Sequence, residues 1–248
     1  MNKKEKNINI KSAKDSPDCL LKIVDYLNSY KLKVCEEHED GRIGSVKDEN
    51  SCIEALKKCN EFNVVSESVF DETNYDNKIT IVVPKAREWF DIRVVYDNKS
   101  YYVNIKSSTL KSKDNVGCVD EIMFGLFGQR KYIKDKTKKY SILFEEYNKY
   151  KEIGFSDIED YNYYFLIINK NNIDGCFITS LCHMNEKSIS PNGSNPPFQC
   201  KWDNNSMERS SKEYICDLIM NVICQSLEKP AEILYTDALV TFRNTYKK

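Results

Sequence analysis

Apolar residues recur at helical spacing in several stretches of the chain. Leu20, Ile23 and Leu27, for example, lie three and four positions apart, the pattern of a helix that buries one face. The predicted helices cover residues 17–32, 51–62, 138–151 and 210–246, the last stretch forming two helices broken near Pro230. A further helix is predicted to begin at Asp114, an acidic residue suited to cap a helix N-terminus.

β-branched and aromatic residues concentrate between these helices and predict strands. The predicted strands cover residues 78–83 and 161–169, with a hairpin over 89–109 and a second hairpin that turns at Asn171 and Asn172. Residues 188–205 are rich in Ser, Asn and Pro and predict a loop. This order of elements is typical of a single mixed α/β domain and differs from a repeated βαβ array.

The hairpin at residues 89–109 places polar side chains on one face. Its turn is predicted at Asp97-Asn98, because both residue types tolerate a positive φ. Ile92 then pairs with Val103 and Phe90 with Ile105, and these four residues form an apolar face.

Three polar residues share the opposite face of this hairpin. In the same register Asp91 lies opposite Asn104, and Lys106 follows two residues later on the same side. The three side chains are therefore expected to converge within about 5–7 Å of one another. Because a hydrophobic core favours neither charge, these residues are either solvated or functional.

Composition narrows the class of protein. The chain has 248 residues, of which 41% are hydrophobic and 30% charged, as in ordinary globular proteins. It contains no apolar run near the ~20 residues of a membrane span, and its N-terminal residues lack the apolar core of a secretory signal. These features predict a cytoplasmic protein that does not insert into membranes.

The cysteines and histidines argue against several kinds of site. There are ten cysteines but no C-x-x-C pair, so the cysteines are expected to be reduced and not to bind zinc. With only two histidines, a histidine-rich metal site or a histidine-based triad is disfavoured. The net charge of −1 gives no global sign of nucleic-acid binding, although lysines cluster between residues 106 and 139, either as a polyanion-binding surface or as a solvated helix and loop.

The polar face of the hairpin resembles the active-site motif of the PD-(D/E)XK nucleases. Asp91 followed by Asn104-Ile105-Lys106 is similar to that motif, with Asn104 at the second acidic position and Phe90 where the proline usually stands. Residues 107–109 and 113–115 are also similar to the segments that follow the motif in type II restriction endonucleases, as is the stretch 190–202. The resemblance covers residues 77–205 and is firmest over 89–115.

This resemblance implies a restriction-endonuclease-like fold, with a mixed central β-sheet flanked by helices. It also implies one nuclease domain over residues 1–248. Within that domain a catalytic core spans about residues 50–182, a DNA-recognition segment about 183–210, and C-terminal helices about 211–246. The implied activity is sequence-specific hydrolysis of double-stranded DNA with Mg²⁺. The implied partners are a second copy of the chain and a cognate DNA methyltransferase.

The residue types suit this chemistry, since Mg²⁺ binds hard oxygen ligands and keeps several waters. Asp91, the Asn104 amide oxygen and the Ile105 carbonyl would hold the metal, while Lys106 would orient the attacking water and offset phosphate charge. Glu54 and Glu67 are candidates for an extra carboxylate.

Side chains able to contact DNA are concentrated after the motif and in the 188–205 segment. Asn and Gln suit adenine, and Lys and Arg suit guanine. The candidates are Ser107, Lys111, Lys113, Asn115, Asn192, Asn195, Gln199, Lys201, Asn204, Asn205 and Arg209. The alternative for residues 190–209 is a polar loop built on Asx turns without any ligand.

Two other functions remain open at this point. The substitution of Asn104 for an acidic residue allows a catalytically silent DNA-binding or interaction module. A repair or junction nuclease that reads DNA shape instead of sequence is the other alternative.

Overall fold

The chain forms a six-stranded mixed sheet with helices on both faces and a smaller three-stranded sheet beside it. This computed structural model describes residues 11–30, 32, 34, 41–71, 78–85, 88–116, 118–128, 135–157, 161–171 and 175–228. The helices are α1 (Asp18–Tyr30), α2 (Gly41–Lys57), α3 (Val119–Phe127), α4 (Lys136–Ile153) and α5 (Lys212–Glu228). The strands are β1 (Phe62–Ser66), β2 (Ile79–Val83), β3 (Ile92–Tyr96), β4 (Lys99–Ser108), β5 (Asp114–Val116), β6 (Tyr163–Asn169), β7 (Phe177–Thr179), β8 (Ile189–Pro191) and β9 (Phe198–Cys200).

The large sheet mixes parallel and antiparallel pairs, as expected for the predicted α/β class. Its strand order is β1-β2-β3-β4-β6-β7. The pairs β1–β2 and β4–β6 are parallel, and the other neighbours are antiparallel. Strand β4 lies inside the sheet and is its longest strand among the described residues.

Two apolar cores cover the two faces of this sheet. Side chains alternate across a strand, so Tyr101, Val103 and Ile105 of β4 join the core beneath α1 and α2. Tyr102 points the other way, into the core formed with α3, α4 and α5. Because both faces are covered, polar side chains in the middle of β4 become buried instead of solvated.

The hairpin β3–β4 confirms the predicted register. Ile92 pairs with Val103, and Tyr96 pairs with Lys99 across the turn. Asp97 and Asn98 have φ values of 50° and 57°, as a two-residue hairpin turn with positive φ at both positions requires.

The predicted face of Phe90 is wrong. Phe90 precedes β3 and packs in the core on the α3 side, with its ring 5.0 Å from that of Tyr102. Ile92 packs in the opposite core. The backbone bends at residues 89–91, before regular pairing begins, so the strand alternation does not extend back to Phe90.

Helix α2 begins at Gly41 instead of residue 51, and Phe62 belongs to strand β1 instead of the predicted helix. The buried face of α2 runs through Asp48, Cys52 and Leu56, each four residues apart. Because an aspartate occupies one of these buried positions, the apolar periodicity does not reach the first half of the helix.

The predicted helix start at Asp114 is also wrong. Asp114 begins β5, and α3 starts at Val119 after Cys118, which makes no side-chain capping bond. The predicted loop at residues 188–205 contains β8 and β9, and β9 pairs with β5 in the small sheet. The pairing of distant segments therefore overrides the local capping preference.

The remaining predictions fall partly outside the described residues. Strands β6 and β7 pair antiparallel, which confirms the second hairpin, although Asn172 in its turn is not described. The helix after Pro230 also lies outside the described residues. No helix in the described ranges is both long enough and apolar enough to span a membrane.

The state of the cysteines can be tested directly. Nine cysteines are described and all are free thiols, most of them buried. Burial raises the pKa of Cys19 to about 11 and that of Cys216 to about 12, so native thiols should react slowly. We expect all ten cysteines to react in denaturant without reductant. Thiol titration and elemental analysis check this, and a disulfide or stoichiometric zinc would contradict it.

Candidate active site

The candidate site lies where β4 extends beyond its neighbour β3. Regular pairing of the two strands ends at Ile92 with Val103. Strand β4 nevertheless continues beside β6 as far as the pair Ser108 with Asn169. The segment of β4 from Asn104 onward therefore has a paired strand on one side and a gap without regular strand pairing on the other.

The carboxylate of Asp91 bridges the start of this gap. Its Oδ2 accepts a hydrogen bond from the Ile105 backbone N–H at 2.6 Å, while the Asp91 N–H donates to the Val103 carbonyl at 3.0 Å. The N–H and C=O of one strand residue point to the same side. The Ile105 carbonyl, a predicted metal ligand, therefore faces the Asp91 side of β4.

Burial raises the pKa of Asp91. The Ile105 N–H and the charge of Lys106 counteract this effect and favour the ionised carboxylate. Asp91 is thus a half-buried acid whose negative charge is only partly compensated.

Asn104 faces α3 and contacts a carboxyl group that the sequence analysis missed. Asn104 is 5% exposed, and its Nδ2 donates to Oε1 of Glu121 at 3.1 Å. Burial raises the pKa of Glu121, Lys106 lowers it and Asp91 raises it. The buried Oδ1 of Asn104 and Oε2 of Glu121 lack a hydrogen bond of normal length within the described structure, although the Tyr163 hydroxyl interacts with Glu121 and lowers its pKa.

Lys106 is the cation shared by the acids of this region. Its charge lowers the pKa of Asp91, Glu121, Glu49 and Asp114, which places four carboxyl groups within its electrostatic reach. The charge of Lys106 thus couples Asp91 to Glu121, and Glu121 is the hydrogen-bond partner of Asn104.

Glu49 on α2 is the second carboxyl group that the sequence analysis missed. Burial raises its pKa to about 7, with a further contribution from the charge of Asp91. A helix prediction extended back to Gly41 would have placed Glu49 next to the buried stripe of α2. The buried aspartate at position 48 concealed that signal.

Asp48 attaches α2 to the sheet and so positions its neighbour Glu49. The side chain of Asp48 is fully buried, and its Oδ2 lies 2.9 Å from Nζ of Lys170. The same oxygen accepts a hydrogen bond from the hydroxyl of Ser107 on β4. Ser107, a predicted DNA contact, thus holds the helix in place.

The two carboxylates predicted in addition to Asp91 have other partners. Glu54 is exposed and pairs with Lys57 of the same helix at 2.7 Å. Glu67 follows β1, and its Oε2 accepts a hydrogen bond from the Lys85 N–H at 3.3 Å. No described interaction links either residue to Asp91.

Several predicted DNA-contacting residues stabilise the 188–209 segment itself. Lys201 donates to the Leu110 carbonyl, Asn204 to the Lys187 carbonyl and Asn205 to the Thr179 hydroxyl. Arg209 contacts Asp15 and the Cys182 sulfur. These bonds anchor the segment to other parts of the chain and give its polar side chains a structural role without any ligand.

Other predicted DNA-contacting residues remain accessible. Lys111, Lys113 and Asn195 are exposed. Asn115 is exposed and Gln199 partly exposed on the small sheet, and both bond within a group that includes the buried Asn192. Some of the predicted DNA-contacting residues therefore bond within the protein, and others are exposed to solvent.

No protein-family model matches this sequence, and no curated protein matches it.

The oxygen atoms of the site suit a hard divalent cation. Asp91, the Ile105 carbonyl and the oxygens of Asn104 and Glu121 that lack a hydrogen bond of normal length are the ligand types that Mg²⁺ prefers. Within the described residues no group of three or more His, Cys, Asp or Glu is arranged to hold a metal ion. The fit therefore depends on amide, carbonyl and water oxygens besides the carboxylates.

The raised pKa of Glu49 predicts how the free energy of unfolding depends on pH. An acid whose folded pKa of about 7 exceeds its ordinary 4.5 contributes stability below pH 4.5 and loses it as the pH rises through 7. We expect unfolding free energy to fall between pH 5 and 8 by about 1–2 kcal/mol more in the wild type than in Glu49→Gln, after discounting for solvent screening. Urea denaturation at several pH values measures this difference.

Glu54→Gln provides the matched control, because Glu54 is exposed on the same helix and pairs only with Lys57 among the described residues. Its pH profile should follow the wild type. Parallel profiles for the wild type and Glu49→Gln would contradict the assigned environment of Glu49.

Proposed function

We propose that this chain is a Mg²⁺-dependent phosphodiester hydrolase whose substrate is double-stranded DNA. The observation that carries the proposal is the hydrogen bond that holds the Asp91 carboxylate on the Ile105 N–H where β4 extends beyond β3, with the charge of Lys106 acting on Asp91, Glu121 and Glu49. Phosphodiester hydrolysis needs a cation, a positioned water and a group that exchanges protons, and this site offers residues for each need.

Asp91, the Asn104 amide oxygen and the Ile105 carbonyl would hold the metal, with Glu121 adding the charge that Asn104 lacks. A bound Mg²⁺ supplies charge neutralisation on the phosphate and lowers the pKa of coordinated water. Lys106 holds and orients the attacking water and offsets phosphate charge. Glu49 exchanges a proton near neutral pH and so is suited to accept one from that water.

The finer proposal is a sequence-specific endonuclease of the type II restriction class that acts as a homodimer. A duplex with a palindromic site presents two symmetric phosphates, which a two-fold dimer matches. The small sheet beside the site supports sequence reading, because the exposed amide side chain of Asn115 follows Asp114, whose carboxyl group interacts with the charge of Lys106. A cognate DNA methyltransferase is the genetic partner expected for such an enzyme.

A second candidate is a catalytically silent DNA-binding module with the same fold. Two hydrogen bonds favour it, one from the Ile105 N–H to Asp91 Oδ2 and one from Asn104 Nδ2 to Glu121 Oε1. These two carboxylate oxygens have partners without a metal. Metal-dependent cleavage separates this candidate from the hydrolase.

The first test of the hydrolase removes its central residues. We expect Asp91→Ala and Lys106→Ala each to lower Mg²⁺-dependent cleavage of plasmid or phage DNA by at least about 100-fold, a loss typical of essential catalytic groups. DNA binding and the folded state, followed by filter binding and circular dichroism, should be largely retained. Lys99→Ala, at an exposed position of the same hairpin, is the control and should cut normally. Near wild-type cleavage by either site variant would remove Asp91 or Lys106 from the active site.

The second test concerns the metal ligand at position 104. Asn104→Asp keeps the shape and adds a negative charge, so Mg²⁺ should bind more tightly even if cleavage slows. Asn104→Ala removes the oxygen and should raise the Mg²⁺ requirement or abolish cleavage. Calorimetric titration with Mg²⁺ and cleavage at varied Mg²⁺ measure both effects. Identical curves for all three proteins, with stability unchanged within about 0.5 kcal/mol, would mean that Asn104 plays no part in metal binding.

A further inference from the structure

The small sheet has a buried face and a polar outer face. The residues paired across its three strands form three rows, and the side chains of the two outer rows point inward. The buried residues of these rows are Val116, Phe198, Cys200 and Ile189. The middle row consists of Asn115, Gln199 and Ser190, which are paired side by side across the three strands. Side chains alternate along each strand, so this middle row faces away from the core.

Hydrogen bonds hold two amides of this outer face in a fixed arrangement. Oδ1 of Asn115 accepts from Nδ2 of Asn192 at 2.7 Å and from Nε2 of Gln199 at 3.2 Å. Asn192 is itself anchored, because its backbone N–H donates to the hydroxyl of the fully buried Ser226 at 2.9 Å. The orientation of the Asn115 amide is thus set by a residue rooted in the core.

This arrangement determines which polar groups stay available. Both lone pairs of Asn115 Oδ1 are engaged, so the Asn115 amide presents its Nδ2 hydrogens as donors. Gln199 has used one Nε2 hydrogen and keeps its Oε1 as an acceptor, with no further partner in the described part of the chain. A donor and an acceptor therefore lie next to each other on the outer face.

We propose that the Asn115–Gln199 pair reads an adenine from the major groove of duplex DNA, an inference that rests on DNA being the substrate. Adenine presents N7 as an acceptor and its N6 amino group as a donor, which complements Asn115 Nδ2 and Gln199 Oε1. Guanine presents two acceptors at the same edge, so its O6 would face the Gln199 oxygen. Asn192 acts as a positioning residue for the pair.

The position and charge of β5 support this assignment. Burial raises the pKa of Asp114, the residue before Asn115, while Ser108, Trp202 and the charges of Lys106 and Lys170 counteract this effect. Asn115 is therefore next in sequence to Asp114, whose carboxyl group interacts with the charge of Lys106, the proposed catalytic lysine. The exposed Lys111 and Lys113 precede β5 and are suited to contact the phosphates beside the base that is read.

The test begins with selection of the full-length protein on a randomised duplex DNA library, in EDTA and again with Ca²⁺, followed by sequencing. The wild type should enrich sequences with an invariant adenine. Asn115→Asp is nearly isosteric and still accepts from Asn192 and Gln199, but it loses the outward donor. It should lose preference at that adenine on the order of 10- to 100-fold. Asn63→Ala, an exposed amide on the far edge strand β1, should leave the enriched sequence unchanged.

A second measurement uses altered bases in the enriched duplex. Replacing the adenine by 7-deazaadenine removes the N7 acceptor and should weaken wild-type binding about 10-fold or more, while Asn115→Asp should bind both duplexes alike. In N6-methyladenine a methyl group replaces the amino hydrogen that faces the groove. This base should also weaken wild-type binding, because the hydrogen bond to Gln199 Oε1 is lost. Gln199→Ala should be insensitive to the methyl group.

The outcomes separate this inference from the proposed function. An enriched sequence without an invariant adenine, or one that Asn115→Asp and Gln199→Ala recognise unchanged, overturns the adenine reader even if the wild type cuts DNA. Absence of any enrichment overturns it as well. Enrichment with the expected base sensitivity, but without cleavage in Mg²⁺, supports the reader and removes the hydrolase.

Discussion

The hydrogen bond from the Ile105 N–H to the Asp91 carboxylate is the interaction on which the candidate site depends. Strand β4 extends beyond the end of its pairing with β3. The backbone groups on that side of β4 therefore need hydrogen-bond partners other than β3. Asp91 takes the place of the missing strand for the N–H, and this bond fixes its carboxylate beside β4. The Ile105 carbonyl on the same side stays directed at the gap. A constraint of sheet geometry thus creates an oxygen-rich edge.

The charges around this edge are unbalanced. Lys106 acts on four carboxyl groups, Lys170 also acts on Asp114, and burial raises the pKa of all four acids. Desolvated carboxylates without enough positive charge favour either protonation or a bound cation. The buried oxygens of Asn104 and Glu121 that lack a hydrogen bond of normal length point to the same need. A cation would relieve both, which is the physical basis of the proposed hydrolase.

Two attachments bring residues from outside the hairpin to this edge. Asp48 binds Lys170 and Ser107 and so holds α2, with Glu49, against the sheet. The pairing of β5 with β9 holds Asp114 close to Lys106 and turns Asn115 outward. The same small sheet therefore connects the proposed site of hydrolysis to the proposed reader of the base.

The sequence by itself determined the hairpin, because the turn Asp97-Asn98 and the alternation of side chains with period 2 fix its register. From that register, the sequence predicted Asp91, Asn104 and Lys106 on one face of the hairpin. Only the tertiary structure placed Glu49 and Glu121, since each lies on a helix whose approach to β4 depends on packing and on buried polar contacts. It also decided that residues 188–205 contain strands, because β8 and β9 form by pairing with each other and with β5, which is distant in the chain. Local patterns encode neighbours within a hairpin, whereas contacts between distant segments depend on how the whole core packs.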